Sequence, residues 1–183
     1  MTWTAIAYNL GKRVKPIWES NVLNFMQSTT ELSVPEIDNP LLVMDMGGVL
    51  RNRPDPFPLP SNPDKIYVDF GLIWGEDIID LIMSDRGKVI LPLRKLQGFE
   101  ELDSALAYAE DITIGIDWSQ TVEAEHPDFS IDIVKLLQQL HSRGQTDILI
   151  YSLTGECPYI PAGTALNLDI KLALLPVSYT HLT

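Results

Sequence analysis

The stretch LLVMDMGGVLRN, residues 41–52, decides the fold. Four apolar residues run without interruption into Asp45, and Gly47 and Gly48 follow closely. A short apolar run ended by a turn signal reads as a strand buried on both faces. The carboxylate at its end is either a chemical group or a turn-former, because Asp bonds nearby backbone N–H groups readily. The two glycines allow close approach of the backbone to a ligand, or a positive φ in a tight turn. Their spacing is not that of a dinucleotide or Walker fingerprint.

The same design recurs along the chain in KIYVD (65–69), KVILPLR (88–94), ITIGID (112–117) and DILIYS (147–152). Helical patterns separate most of these runs. GEDIIDLIMSDRG (75–87) starts with two acids, offers Ile78, Ile79, Leu81, Ile82 and Met83 as its apolar set, and stops at Gly87 after Arg86. GFEELDSALAYAED (98–111) repeats it with Phe99, Leu102, Leu106 and Ala107. In SIDIVKLLQQLHSRG (130–144), Ser130 is the candidate N-cap, Ile131, Val134, Leu137 and Leu140 form the stripe, and Gly144 is the stop. Strand and helix in alternation predict an α/β domain with a mainly parallel sheet and helical crossovers, a partial or complete (βα)-barrel.

Two segments fall outside the alternation. RNRPDPFPLPSNPD (51–64) holds five of the thirteen prolines and cannot be a crossover helix, so the strands it joins are antiparallel or linked by a nonhelical crossover. Residues 1–40 read as a separate helical segment kinked near Pro16, with apolar Trp18, Val22, Leu23 and Phe25, then the polar loop QSTTELSVPEIDNP. The expected organisation is therefore a helical segment (1–40), an α/β domain (41–176) and a tail (177–183). The tail, Val177–Thr183, resembles the translation of a transposase end sequence used in making sequencing libraries. On that reading the natural protein departs from this sequence near Pro176 and continues, and His181 is no ligand.

With 183 residues, 45% of them hydrophobic, the chain can bury the core of one globular domain. Its 25 acidic against 13 basic residues, a net charge of −12, argue against a nucleic-acid partner, which needs a basic face. The single cysteine, Cys157, excludes an internal disulfide and a cysteine-based metal cage, and fits the cytoplasm. No window approaches the roughly 18 apolar residues of a membrane span. The cations of the N-terminus follow its apolar stretch, the reverse of a secretory signal.

Chemistry concentrates at the strand ends. Asp45, Asp69, Arg94, Asp117 and Ser152 each terminate an apolar run, so parallel strands would gather three carboxylates, a guanidinium and a hydroxyl on one rim. That rim is where α/β sheets and (βα)-barrels hold substrates, because strand ends and helix N-termini converge there. Each Asp taken alone also fits a strand-to-loop turn. His126, beside Glu123, Glu125 and Asp128, fits a solvated acidic loop better than a metal site. His141 fits the C-terminal end of a helix dipole, and Cys157 has no paired base nearby in sequence.

From Asp45 onward the chain resembles the histidine-biosynthesis (βα)8-barrels, the sugar-phosphate isomerase and its cyclase relative. VMDMGGVLRN (43–52) is similar to that family's first strand and IYVDFGLIWGEDIIDLI (66–82) to its second. IDIVKLLQQLHSRGQTDILIYSLTGE (131–156), followed by AGTALNLDI (162–170), is similar to its later helix, strand and Gly-x-x-x-Asn phosphate-side loop. The resemblance implies Asp45 as acid or base, with Asp117 supplying the partner carboxylate that SLTGE lacks. Together they would move protons across two carbons of a phosphorylated aminoaldose, with Asp69, Arg94, Ser152, Gly47 and Gly48 binding substrate and no cofactor. A second resemblance is to haloacid-dehalogenase-like phosphohydrolases. There VMDMGGVL (43–50) would present Asp45 as nucleophile with Mg²⁺, and Ser152 would bind the phosphoryl group. Gly47 stands where that family carries its second Asp. A third reading is a noncatalytic α/β binding module. The expected partner is a small phosphorylated molecule, with no nucleic acid and no membrane; oligomeric state is left open.

Overall fold

The computed structural model describes residues 2–10, 12–19, 22–27, 40–54, 63–164 and 167–174. An N-terminal hairpin comes first: β1 (Thr2–Asn9), β2 (Lys12–Glu19) and β3 (Val22–Gln27). Next are β4 (Leu41–Asp45), α1 (Met46–Arg51), β5 (Ile66–Asp69), α2 (Ile78–Met83), β6 (Lys88–Pro92) and α3 (Phe99–Leu106). The chain then forms β7 (Thr113–Trp118), β8 (Val122–Glu123), α4 (Ile133–Ser142), β9 (Asp147–Ser152) and β10 (Asp169–Leu174).

The strands form one curled sheet in the order β10-β9-β7-β6-β5-β4-β1-β2-β3, and β10 also pairs with β1. From β10 to β1 every neighbour along that path is parallel, as is the β1–β10 pairing itself. β4 and β5 are joined in parallel through Leu41 opposite Ile66 and Met44 opposite Asp69. The proline-rich segment therefore follows a short helix rather than making an antiparallel return; residues 55–62 of it lie outside the described residues.

The expected N-terminal helix is not formed. Residues Thr2–Asn9, Lys12–Glu19 and Val22–Gln27 are strands, and β1 enters the main sheet between β4 and β10. The physical reason is a period of two. Along β2, Val14 and Pro16 are buried and Lys15 between them is exposed, so burial alternates from one residue to the next. Pro16 is tolerated because the pairing of β2 with β1 covers only Lys12 to Val14, before the residue that lacks an N–H.

Side chains alternate between two cores. Leu41 and Val43 of β4, Val89 and Leu91 of β6, Ile114 and Ile116 of β7 and Ile148 and Ile150 of β9 pack with Ile78, Leu102, Leu136 and Leu140 of the helices. Leu42, Met44, Ile90, Leu149 and Tyr151 point the other way, into the curl, with Trp3, Ala7 and Ala173. Val14 and Leu23 of the hairpin and Val49 of α1 join this inner core.

The three longer helical patterns are present, with one change of boundary. Asp132, not Ser130, caps α4, its Oδ1 accepting from the N–H groups of Val134 and Lys135 at 3.0 and 3.2 Å. Ser130 belongs to the preceding turn, where its N–H donates to the carbonyl of His126. Among the described residues no helix is long and apolar enough to cross a membrane.

Candidate functional site

The five strand-end groups are all buried, but they do not share one face. Asp69 is in phase with Tyr67, Asp117 with Gly115 and Tyr151 with Leu149, which places them toward the curl. Asp45 is in phase with Leu41 and Val43, and Ser152 with Ile148 and Ile150, toward the helices. The expected rim is thus divided.

On the inner side the groups form one network. Arg94 lies just past β6, which runs between β5 and β7, so its guanidinium reaches a carboxylate on each side. Its Nε donates to Asp117 Oδ2 at 2.6 Å and its Nη2 to Asp117 Oδ1 at 3.0 Å. Toward Asp69, Nη1 donates to Oδ1 at 3.3 Å and Nη2 to Oδ2 at 2.9 Å. Tyr151 Oη donates to Asp69 Oδ2 at 2.7 Å, and the N–H of Gly71 to Asp69 Oδ1 at 2.9 Å. The Arg94 guanidinium carbon lies 5.4 Å from the centre of the Tyr151 ring, within cation–π range.

Two carboxylates against one guanidinium leave a negative charge in excess inside the protein when both are ionised. Burial accordingly pushes the Asp117 carboxyl above its usual range, and the neighbouring charges of Asp69 and Glu123 add to this, against the opposing pull of Arg94. Burial works against the charge on Arg94, yet Asp117 and Asp69 hold its guanidinium protonated above its ordinary range. The Tyr151 phenol is pushed well up by burial and by the Asp69 carboxylate.

The Asp117 shift has a sign that can be measured. The folded state retains a proton that the unfolded state releases near 3.8, so its stabilising contribution is complete below that value and is lost as pH climbs through the raised one. Urea unfolding across mildly acidic pH is expected to show wild type losing stability relative to Asp117→Asn as pH rises. A constant difference would contradict the shift.

On the outer side Asp45 is the N-cap of α1, its Oδ1 accepting from the N–H of Gly48 at 3.2 Å. Gly47 and Gly48 lie inside α1, and neither has a positive φ. Their close approach is to the chain itself. A Cβ on Gly48 would stand 1.9 Å from the carbonyl oxygen of Phe70, and one on Gly71 2.7 Å from the Cα of Val49. Ser152 Oγ donates to the carbonyl of Glu156 at 2.6 Å. Of the phosphate-loop resemblance, Gly163 and Thr164 form a turn, Ala165 and Leu166 lie outside the described residues, and Asp169 and Ile170 begin β10. His126 accepts from the N–H of Asp128 through Nδ1 at 3.2 Å, a local turn. Cys157 is exposed. Among the described residues no group of three or more His, Cys, Asp or Glu side chains is placed to hold a metal ion.

Sequence reasoning missed Tyr151. The signal was the one aromatic hydroxyl in the otherwise aliphatic run DILIYS, a residue that needs a polar partner when buried. No known protein-family model matches the chain, and no curated protein sequence matches it.

Proposed function

We propose that the C-terminal end of the curled sheet is the site of an isomerase-like enzyme that moves protons on a phosphorylated sugar, within a partial (βα)-barrel. The observation that carries this reading is the Asp69–Arg94–Asp117–Tyr151 network: titratable groups from four strand ends, on the inner face, with one carboxyl shifted toward holding its proton. Asp117 is the acid and base of the reading. Asp69, bonded to the Tyr151 phenol, is the second carboxylate, in the role that Asp45 would hold by family resemblance. Arg94 fixes both carboxylates relative to one another. Asp45 instead organises α1 as its cap.

A noncatalytic binding module is the second reading, favoured by the fact that all four carboxylate oxygens of Asp69 and Asp117 accept hydrogen bonds from within the protein.

Incubation with a phosphorylated aminoaldose, followed by NMR, tests the choice. Isomerisation is expected for wild type, with Asp117→Asn slower by about 10²–10⁴-fold, the usual worth of a positioned acid or base. Saturable chemical-shift changes without turnover would favour the binding module. Mg²⁺-dependent hydrolysis of simple phosphate esters, abolished by Asp45→Asn, would replace both readings with the phosphohydrolase.

A further inference from the structure

Large apolar side chains are exposed at few places among the described residues, and they concentrate on one. Trp74 is 49% exposed, Ile79 39%, Ile82 41% and Met83 79%. Ile79, Ile82 and Met83 are spaced three and four apart on α2, so they share one face, and Trp74 lies just before the helix. Burying such a face against water is favourable, and a cluster of this kind marks an interaction surface. Its surroundings are acidic: residues 74–86 contain Glu76, Asp77, Asp80 and Asp85 against Arg86 alone.

Acidic surroundings decide what can cover it. Two α2 faces brought together would set carboxylates against carboxylates, so a twofold contact through α2 is disfavoured. A complementary surface exists on the same chain. The turn between β1 and β2 presents Leu10, 71% exposed, beside the exposed cations Lys12 and Lys15, with Arg13 between them. Residues 10–15 contain no acid, and they hold three of the thirteen basic residues of a chain whose net charge is −12.

We propose that the β1–β2 turn of one copy docks on the α2 face of a second copy, Leu10 against the Trp74, Ile79, Ile82 and Met83 surface and the cations against its acidic border. The two patches differ, so the contact is head-to-tail: each copy keeps one patch of each kind, and assembly grows until a ring closes or continues as a filament. The charged border is screened at high ionic strength, where the Debye length falls from about 10 Å at 0.1 M to about 3 Å at 1 M.

Sedimentation of the full chain over a concentration series, at low and high salt, tests this. Wild type is expected to exceed the dimer mass at low salt and to dissociate at high salt. Met83→Glu, and the pair Lys12→Glu with Lys15→Glu, should each weaken self-association by about tenfold or more. An equimolar mixture of the two variants should stop at a 1:1 dimer, since one keeps its turn and the other its α2 face. Three results would overturn the proposal: wild type at monomer mass throughout, association undiminished by either variant, or a mixture that forms no dimer.

Discussion

Arg94→Met is expected to lower the free energy of unfolding by about 3–5 kcal/mol, the cost of leaving buried charge without its partner. Asp69 and Asp117 would then face each other across a gap with no cation, in a site where Asp69 is fully buried and Asp117 nearly so. Each would keep its desolvation cost and lose the hydrogen bonds donated by the guanidinium, Asp69 retaining those from Tyr151 and Gly71. Urea denaturation followed by circular dichroism measures the loss. Combining Arg94→Met with Asp69→Asn and Asp117→Asn removes the stranded charges, so the triple variant should recover a large part of the stability. An Arg94→Met protein as stable as wild type would mean that the network is not held as described.

The second large effect is expected at Gly48→Ala, and here the sign is informative. In an ordinary helix, replacing Gly by Ala stabilises by about 0.5–1 kcal/mol. In α1 the added methyl would meet the carbonyl oxygen of Phe70 at 1.9 Å and its carbonyl carbon at 2.7 Å, and these are backbone atoms that no rotamer change can move aside. Overpacking therefore outweighs helix propensity, and a net destabilisation of about 3 kcal/mol is expected. Thermal unfolding of the variant reads it directly. A raised melting temperature would show that α1 does not rest against the segment after β5.

The internal strands were legible because burial on both faces leaves a plain mark, a run of aliphatic residues with few charges. LLVMD is β4, DILIYS is β9, and the other three runs lie within a residue or two of β5, β6 and β7. The N-terminal strands are amphipathic and Pro16 also suits a helix kink, whereas the strand period shows only over three residues, exposed Lys15 between buried Val14 and Pro16. β10 was hidden for a different reason. Residues 162–170 resemble a phosphate loop, and the alternation in DIKLAL, which pairs with β9 from Asp169 to Leu174, is short.

The candidate site was legible in composition and only partly in geometry. Strand-end position located Asp69, Arg94 and Asp117, which the structure brings into hydrogen-bond contact. Strand-end position alone does not give the face. One residue of phase separates Asp45 from Met44, and that single step turns a group from the inside of the curl to the helix side.

The parallel pairing of Thr2 with Leu172 and Trp3 with Ala173 has a kinetic consequence. These partners are 170 positions apart in sequence, so the seam adds highly nonlocal contacts and raises the contact order, which slows folding. At about 5–20 residues per second, a ribosome takes roughly ten seconds or longer to make the missing strand after the first emerges. Through that interval the side of β1 that will receive β10 is guarded at Ala7 to Asn9 by β2, which follows it immediately from the tunnel. Thr2 and Trp3, the positions that receive β10, keep an open edge until the last strand is made, so the unpaired length of β1 on that side is short.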